Sequence, residues 1–241
     1  GNRNQSDNRM KTRIAKFISD SGVASRRAAE DMIARGMVYV NGEKITTPVC
    51  FVDASDRIEI NGTPIVARTK TELYAFHKPI NTMTTAHDPA GRKTIYDCMS
   101  PEYKNLKYVG RLDYKTTGLL LLTNDGELAR RLTLPTSHVP RTYIATVNRI
   151  DAAGLVRARA GTIVDGISYR PMQIDILSDN ELRVCVDEGK KNEVRIVLRA
   201  CGCPVRKLHR ISFGPIELGN LSVGQIRKIN QKTIDALLKT L

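Results

Sequence analysis

The chain has 241 residues, 41% of them hydrophobic, which is enough for one large domain or a small domain beside a medium one. Its 38 Lys and Arg against 25 Asp and Glu give a formal charge of +13, an excess that opposes compaction and so calls for a polyanionic partner. Nucleic acid is the leading candidate; a membrane partner is set aside, because the longest strongly apolar run, Leu119-Leu120-Leu121-Leu122, is far short of the ~20 residues of a spanning helix.

Residues 1–10 read as a flexible, solvated leader without the apolar stretch of a signal peptide. Ile14, Phe17 and Ile18 recur at helical spacing and Gly22 ends that helix. Ser25 is a natural N-cap for a second helix, Arg26 to Arg35, with Ala29, Met32 and Ile33 on its apolar side and Gly36 as its stop. Val38 to Val40 reads as a strand, Asn41-Gly42 as a two-residue hairpin turn, and Glu43 to Ile45 as the returning strand. Arg57 to Ile60 alternates as a further strand and ends at Asn61-Gly62. These elements form a first domain over residues 11–66, followed by a patternless linker at 67–71.

The rest, residues 72–241, alternates strands and helices. Strands are expected at Leu73 to Phe76, Tyr108 to Leu112, Gly118 to Thr123 and Thr142 to Val147, with two or three more between 162 and 187. Asn124-Asp125-Gly126 is read as a cap opening a helix, since Leu128 and Leu132 follow at i, i+4. Further helices are expected at Leu155 to Ala160, around Val194, Val197 and Leu198 up to Gly202, and from Ile229 to Leu241. The pattern implies an α+β fold with a mixed, mostly antiparallel sheet flanked by helices. The five cysteines (50, 98, 185, 201 and 203) are an odd, scattered set that points to a reducing, cytoplasmic setting. Cys201-Gly202-Cys203 lacks a second ligand pair at zinc spacing, so it reads as two small buried residues at a helix end, and no metal is expected.

Two strings carry chemistry. The first is Ala24-Ser25-Arg26-Arg27 at a helix start, followed by Arg35-Gly36 and Val38-Tyr39-Val40-Asn41-Gly42. Helix N-terminal N–H groups with two adjacent guanidiniums suit phosphate, although first-turn arginines can also be merely solvated. In order and spacing the string resembles the S4-like RNA-binding domain, over about residues 12–60. The resemblance implies RNA contact by Ser25, Arg26, Arg27, Arg35 and Asn41.

The second string runs from Val109-Gly110-Arg111-Leu112-Asp113 through Tyr114-Lys115-Thr116-Thr117-Gly118 to Asn124-Asp125-Gly126. By itself, an Asp leaving a strand into a polar turn is more often a turn former than a catalyst. The whole string resembles the catalytic motif of the RsuA-type ribosomal RNA pseudouridine synthases, many of which carry an S4-like domain in front. The resemblance implies that Asp113 attacks the target uridine and that Tyr143, in Arg141-Thr142-Tyr143, lies over the uracil. It also implies that Arg195, in Lys190-Lys191-Asn192-Glu193-Val194-Arg195, pairs with the aspartate. Glu193 stands where many members carry Gln, and Ile196-Val197 where many carry a basic-apolar pair. A carboxylate is nucleophilic only when ionised; a cleft disfavours that state and a guanidinium within ~4–6 Å restores it.

Residues 190–210 hold seven basic side chains and one acidic, and read as an electrostatic track for RNA together with Arg111, Lys190 and Lys191. No Gly-x-Gly-x-x-Gly, phosphate-binding Gly-Lys-Ser/Thr loop or His-Glu-x-x-His occurs, so no cofactor is expected. The expected partner is ribosomal RNA, free or in precursor particles. The segments Arg141 to Tyr143, Asn192 to Arg195 and Arg206 to Pro215 look more like the large-subunit (23S) members, and a monomer is the default. Two other readings stay open: a catalytically silent RNA-binding assembly factor of the same fold, and an enzyme of another class, such as a methyltransferase, delivered by the S4-like domain.

Overall fold

The computed structural model describes residues 11–66 and 70–241. Its backbone separates into one unit ending at Thr71 and another running from Glu72 to Leu241. The expected leader, 1–10, and residues 67–69 of the expected linker lie outside the described residues.

The first unit holds β1 (Thr12–Arg13), α1 (Ile14–Asp20), α2 (Arg26–Ala34), β2 (Val38–Val40), β3 (Glu43–Lys44), β4 (Phe51–Val52), β5 (Ile58–Ile60) and β6 (Thr63–Ile65). Ile14, Phe17 and Ile18 bury against Ala29 and Ile33, as their spacing requires. Ser25 caps α2 by accepting from the Ala28 N–H at 3.1 Å. Asn41 and Gly42 both take positive φ, 51° and 86°, as a two-residue turn matched to the strand twist demands. The sheet is antiparallel in the order β3-β2-β5-β6. A small ladder absent from the sequence reading pairs β1 with β4, Thr12 opposite Val52.

The second unit holds β7 (Leu73–Lys78), β8 (Lys107–Val109), β9 (Thr116–Thr123), α3 (Gly126–Thr133), β10 (Arg141–Val147), α4 (Ala152–Ala160), β11 (Thr162–Val164) and β12 (Ile167–Tyr169). It continues through β13 (Gln173–Ile176), β14 (Glu181–Val186), α5 (Glu193–Ala200), β15 (Val205–Phe213), β16 (Ile216–Glu217), β17 (Ile226–Lys228) and α6 (Gln231–Leu238). Its main sheet runs β13-β14-β10-β15-β9-β7-β17, with β8 on β9 and β16 on β15. Only β9 and β15 pair in parallel among the named strands of this sheet, so it is mixed and mostly antiparallel.

The run Leu119 to Leu122 is apolar at every position because β9 is covered on both faces. Leu119 and Leu121 pack with α3 and α6, through Leu128, Leu132, Ile234 and Leu237. Leu120 and Leu122 pack with Phe76, Ile95, Met99 and Leu106 on the other side. A third cluster closes α4 and α5 over β10, β13 and β14.

In the second unit the structure departs from the sequence reading in several places. The strand expected to reach Leu112 stops at Val109, since Gly110 turns to φ +67° and releases Arg111 to Asp113 into a turn. Four strands, not two or three, fill 162–187. The final helix starts at Gln231 rather than Ile229, because Asn230 caps it from the Thr233 N–H at 2.9 Å. The nine-residue β15 was not anticipated at all, yet it is the strand that joins the two halves of the sheet.

At Gly118 the parallel strands nearly touch. Its φ is +108°, and a Cβ there would lie 2.2 Å from the Arg210 carbonyl oxygen. Gly118→Ala should therefore cost about 3 kcal/mol, combining an unfavourable φ with a steric clash. Gly166→Ala, also at positive φ but with nothing within 4 Å of the new Cβ, should cost only about 1 kcal/mol. Urea unfolding midpoints compare the two, and equal losses would contradict the close approach.

Candidate active site

Asp113 lies in the turn between β8 and β9. The Thr116 N–H donates to the Asp113 carbonyl at 2.9 Å and starts β9. Thr84 Oγ1 donates to the Leu112 carbonyl at 2.8 Å. The main fastener is Lys78, at the end of β7. Its Nζ donates to the carbonyls of Pro79 (3.0 Å), Tyr114 (3.4 Å) and Thr116 (2.7 Å). Lys78 is fully buried. Burial pulls its pKa down to about 8, and the nearby negative charge of Asp113 opposes that fall. The sequence reading missed Lys78, although strand alternation puts it on the face of Phe76, where an inward lysine needs partners.

Asp113 opens onto a cavity of about 320 Å³. The cavity is also lined by Arg111 and Thr116, by Tyr143 of β10 and Leu208 of β15, and by the turn from Gly189 to Asn192 with the start of α5. Arg195 approaches from α5, with Nη2 3.4 Å from Thr116 Oγ1. Burial lowers its pKa and the charge of Asp113 counters that, so the guanidinium stands within electrostatic reach of the carboxylate. Tyr143 sits in register between Val184 and Arg210, and its half-buried ring packs against two of the cores. Asp113, Tyr143, Arg111, Lys190 and Lys191 thus line one cavity, and Arg195 adjoins it.

The deeper wall holds charges the sequence reading did not place there. Arg141 and Arg210 are each 4% exposed. Arg141 Nη1 donates to the Val139 carbonyl at 2.8 Å and its guanidinium lies 4.9 Å from the Phe213 ring centre. Arg210 Nε donates to the Leu119 carbonyl at 2.7 Å and its guanidinium lies 5.3 Å from the same ring. Burial and then the charge of Arg210 lower the pKa of Arg141. Glu193 is 5% exposed and accepts the Gly189 N–H at 2.8 Å. Burial pushes its pKa up to about 7.

The run 190–210 is therefore not one exposed track. Lys190, Lys191, Arg199, Arg206 and Lys207 are exposed, Arg195 is half-buried, and Arg210 is inside. Lys190 is also tied down: it pairs with Glu188 at 2.9 Å, donates to the Ser168 carbonyl and sits over the Tyr169 ring.

In the first unit, Arg26 and Arg27 are exposed in the first turn of α2. Other residues of that string are occupied locally. The Ser25 hydroxyl caps α2, Arg35 pairs with Asp31 at 3.0 Å, and the Asn41 side chain donates to Asp56 at 3.0 Å while accepting the Arg57 N–H at 2.8 Å. Cys201 and Cys203 are buried, and Cys203 Sγ accepts the Asp151 N–H at 3.2 Å. Among the described residues no group of three or more His, Cys, Asp or Glu could hold a metal, and no helix is long and apolar enough to cross a membrane.

Comparison with known proteins agrees in both units. Residues 72–200 match the RNA pseudouridylate synthase family, and residues 12–58 match the S4 domain. An RNA pseudouridine synthase of Rickettsia conorii is 38% identical over 92% of this chain and 98% of its own length. Ribosomal large subunit pseudouridine synthase B of Bacillus subtilis is 34% identical over 93% of this chain and 95% of its own. A crystal structure of a pseudouridylate synthase superposes with a TM-score of 0.68 at 27% identity, covering 93% of this chain and 99% of that one.

The raised pKa of Glu193 has a consequence for stability. The folded state holds this proton up to about pH 7, whereas a free carboxyl releases it near 4.5. Between those values the folded state binds the extra proton, so stability falls as pH rises, by up to about 1.4 kcal/mol per unit. Glu193→Gln removes the titration. Its stability relative to the wild-type chain should therefore improve steadily from pH 5 to 7 in urea melts; a gap that stays constant with pH would show that Glu193 does not titrate there.

Proposed function

The chain belongs to the RNA pseudouridine synthases, and from that premise we propose that it converts a uridine of large-subunit ribosomal RNA to pseudouridine with Asp113 as nucleophile. The observation that carries the reading is that Asp113 and Tyr143 line one cavity which Arg195 adjoins, with the Asp113 turn fixed by a buried lysine clamp. The large-subunit assignment is supported by the name and 34% identity of the Bacillus subtilis relative.

The target uridine leaves its stack and enters the cavity, where Tyr143 supplies a stacking face. Arg111, Lys190 and Lys191 sit at the exposed rim, where phosphates remain in water. Arg195 sets a positive charge within electrostatic reach of Asp113 as substrate entry excludes water. Asp113 forms a bond to the nucleoside, and the N1–C1′ bond breaks with its electron pair going to the uracil. The base turns, C5 bonds to C1′, C5 loses its proton, N1 takes one up, and Asp113 is freed. Atoms and electrons balance within the nucleotide. Residues 11–66 dock the enzyme on structured RNA through Arg26 and Arg27, while residues 72–241 carry the chemistry.

Tritium release from 5-tritiated uridine in 23S transcripts tests the nucleophile. The wild-type chain should release tritium from one position. Asp113→Asn should bind the RNA within about threefold of wild type yet lose at least roughly 10⁴-fold in rate. Release that persists in the variant would falsify the assignment.

Docking is tested separately. The double variant Arg26→Ala, Arg27→Ala should weaken RNA binding and reduce the slope of log affinity against log salt by about one to two units. Its turnover on saturating RNA should stay at the wild-type level. Unchanged affinity across several salt concentrations would exclude these arginines from the interface.

A further inference from the structure

We propose that Arg210 is a base-binding residue of the cavity: its guanidinium takes a carbonyl oxygen of the extruded uracil and stabilises the negative charge the base acquires when its bond to ribose breaks. The inference rests on the reaction proposed above and adds a contact to it.

The starting point is an unmet donor. Arg210 Nη2 is the one buried side-chain nitrogen or oxygen without a hydrogen-bond partner among the described residues. An unpaired buried donor costs about 1–3 kcal/mol, and more when it carries charge. The Phe213 face offsets part of that cost, but a ring face is a poor substitute for an acceptor oxygen. Arg141 makes matters worse, because it is a second buried cation on the same ring. Glu193 does not neutralise the pair: its oxygen is engaged by Gly189 and burial drives it toward the neutral form. The wall therefore keeps net positive charge, and Arg210 lines the cavity that Asp113 lines; its Nη2 is closed off from solvent, so a base reaches that donor through a small shift of the guanidinium.

Position narrows the ligand. Arg210 is the cross-strand partner of Tyr143, the residue expected to face the uracil ring. It lies in the covered part of the cavity, whereas Arg111, Lys190 and Lys191 stand exposed at the rim. A phosphate entering the covered part would lose its hydration, while a neutral planar base with two carbonyl oxygens enters at much lower cost. Cleavage of N1–C1′ then leaves an electron pair spread over the ring and its carbonyl oxygens. A guanidinium already in place, shielded from water, favours that state over the neutral base that entered. The charge disappears again when C5 bonds to C1′ and N1 is protonated. Such a residue acts on the rate more than on RNA affinity.

The test measures single-turnover tritium release and RNA affinity separately, with the wild-type chain and Asp113→Asn alongside. Arg210→Gln should bind RNA within about twofold of wild type and lose about 10²–10³-fold in rate. Arg210→Lys should retain more activity than Arg210→Gln, and millimolar guanidinium should restore part of the rate of Arg210→Ala. A rate unchanged in Arg210→Gln overturns the proposal. So does a loss confined to affinity with a salt slope lower by about one unit, which would assign Arg210 to a phosphate. A loss that neither lysine nor guanidinium repairs, with a lowered melting temperature, makes the residue structural and overturns it as well. A wild-type chain that releases no tritium sinks the proposed reaction itself, which separates the two failures.

Discussion

Strands β9 and β15 run side by side in parallel, and at Gly118 the space a side chain would need is taken by the backbone of Arg210. Much of the second unit follows from that contact. The N-terminal end of β9 is where the Asp113 turn enters, so its position is set by the strand it feeds. The inward residues of β15, Leu208 and Arg210, come level with Thr116 and Gly118 of β9. On its other edge β15 pairs with β10, which brings Tyr143 opposite Arg210 and Arg141 opposite Phe213. A cavity whose walls come from distant parts of the chain is thereby anchored on strands, with the Asp113 turn and the turn before α5 completing it, and strands hold side chains within the small tolerances that chemistry requires.

The same unit handles its buried cations in an unusual way. Lys78, Arg141 and Arg210 are all inside, and the hydrogen bonds that hold them go to backbone carbonyls. A carboxylate partner would relieve the desolvation of each cation but would also cancel its charge. Carbonyl oxygens satisfy donors and leave the charge in place. The result is a positive interior beside a cavity that the Asp113 carboxylate also lines. That arrangement suits the reaction proposed above, in which negative charge moves from Asp113 to the base and back, because cations held by fixed carbonyls favour the charged state.

Much of this was legible in the residues, and the part that was not has a physical reason. The caps at Ser25 and Asp125, the turn at Asn41-Gly42 and the doubly buried β9 depend on local chemistry, which spacing reveals. Asp113, Tyr143 and Arg195 came from family resemblance, since composition alone rates an aspartate in a turn as a turn former. Strand β15 escaped because Arg206, Lys207, His209 and Arg210 give it the look of a solvated charge run. Its alternation, with Leu208 and Arg210 inward and His209 on the other face, becomes visible only when the strand is known to lie between two others. Lys78 escaped for the same reason. A cation in a strand reads as surface unless tertiary carbonyls are there to receive it, and sequence does not display those. Asn41 and Arg35 also have local partners that spacing does not display, in Asp56, Arg57 and Asp31.

Glu193 shows how a departure from a family pattern can be absorbed by its surroundings. The turn before α5 needs an acceptor for the Gly189 N–H, and Gly189 itself sits at φ +74°, where a Cβ would stand 3.0 Å from Arg141 Nη2. Glutamine would provide that acceptor through its amide oxygen. Glutamate provides it equally, and burial keeps its carboxyl protonated up to about pH 7, so below that pH it matches the amide in shape and charge, with one donor where the amide has two. Above it the carboxylate adds a negative charge beside Arg141, while Glu188 nearby resists that ionisation. The turn that carries Lys190 and Lys191 is thus held by one backbone hydrogen bond in either state, and the substitution alters the charge of the wall without altering its geometry.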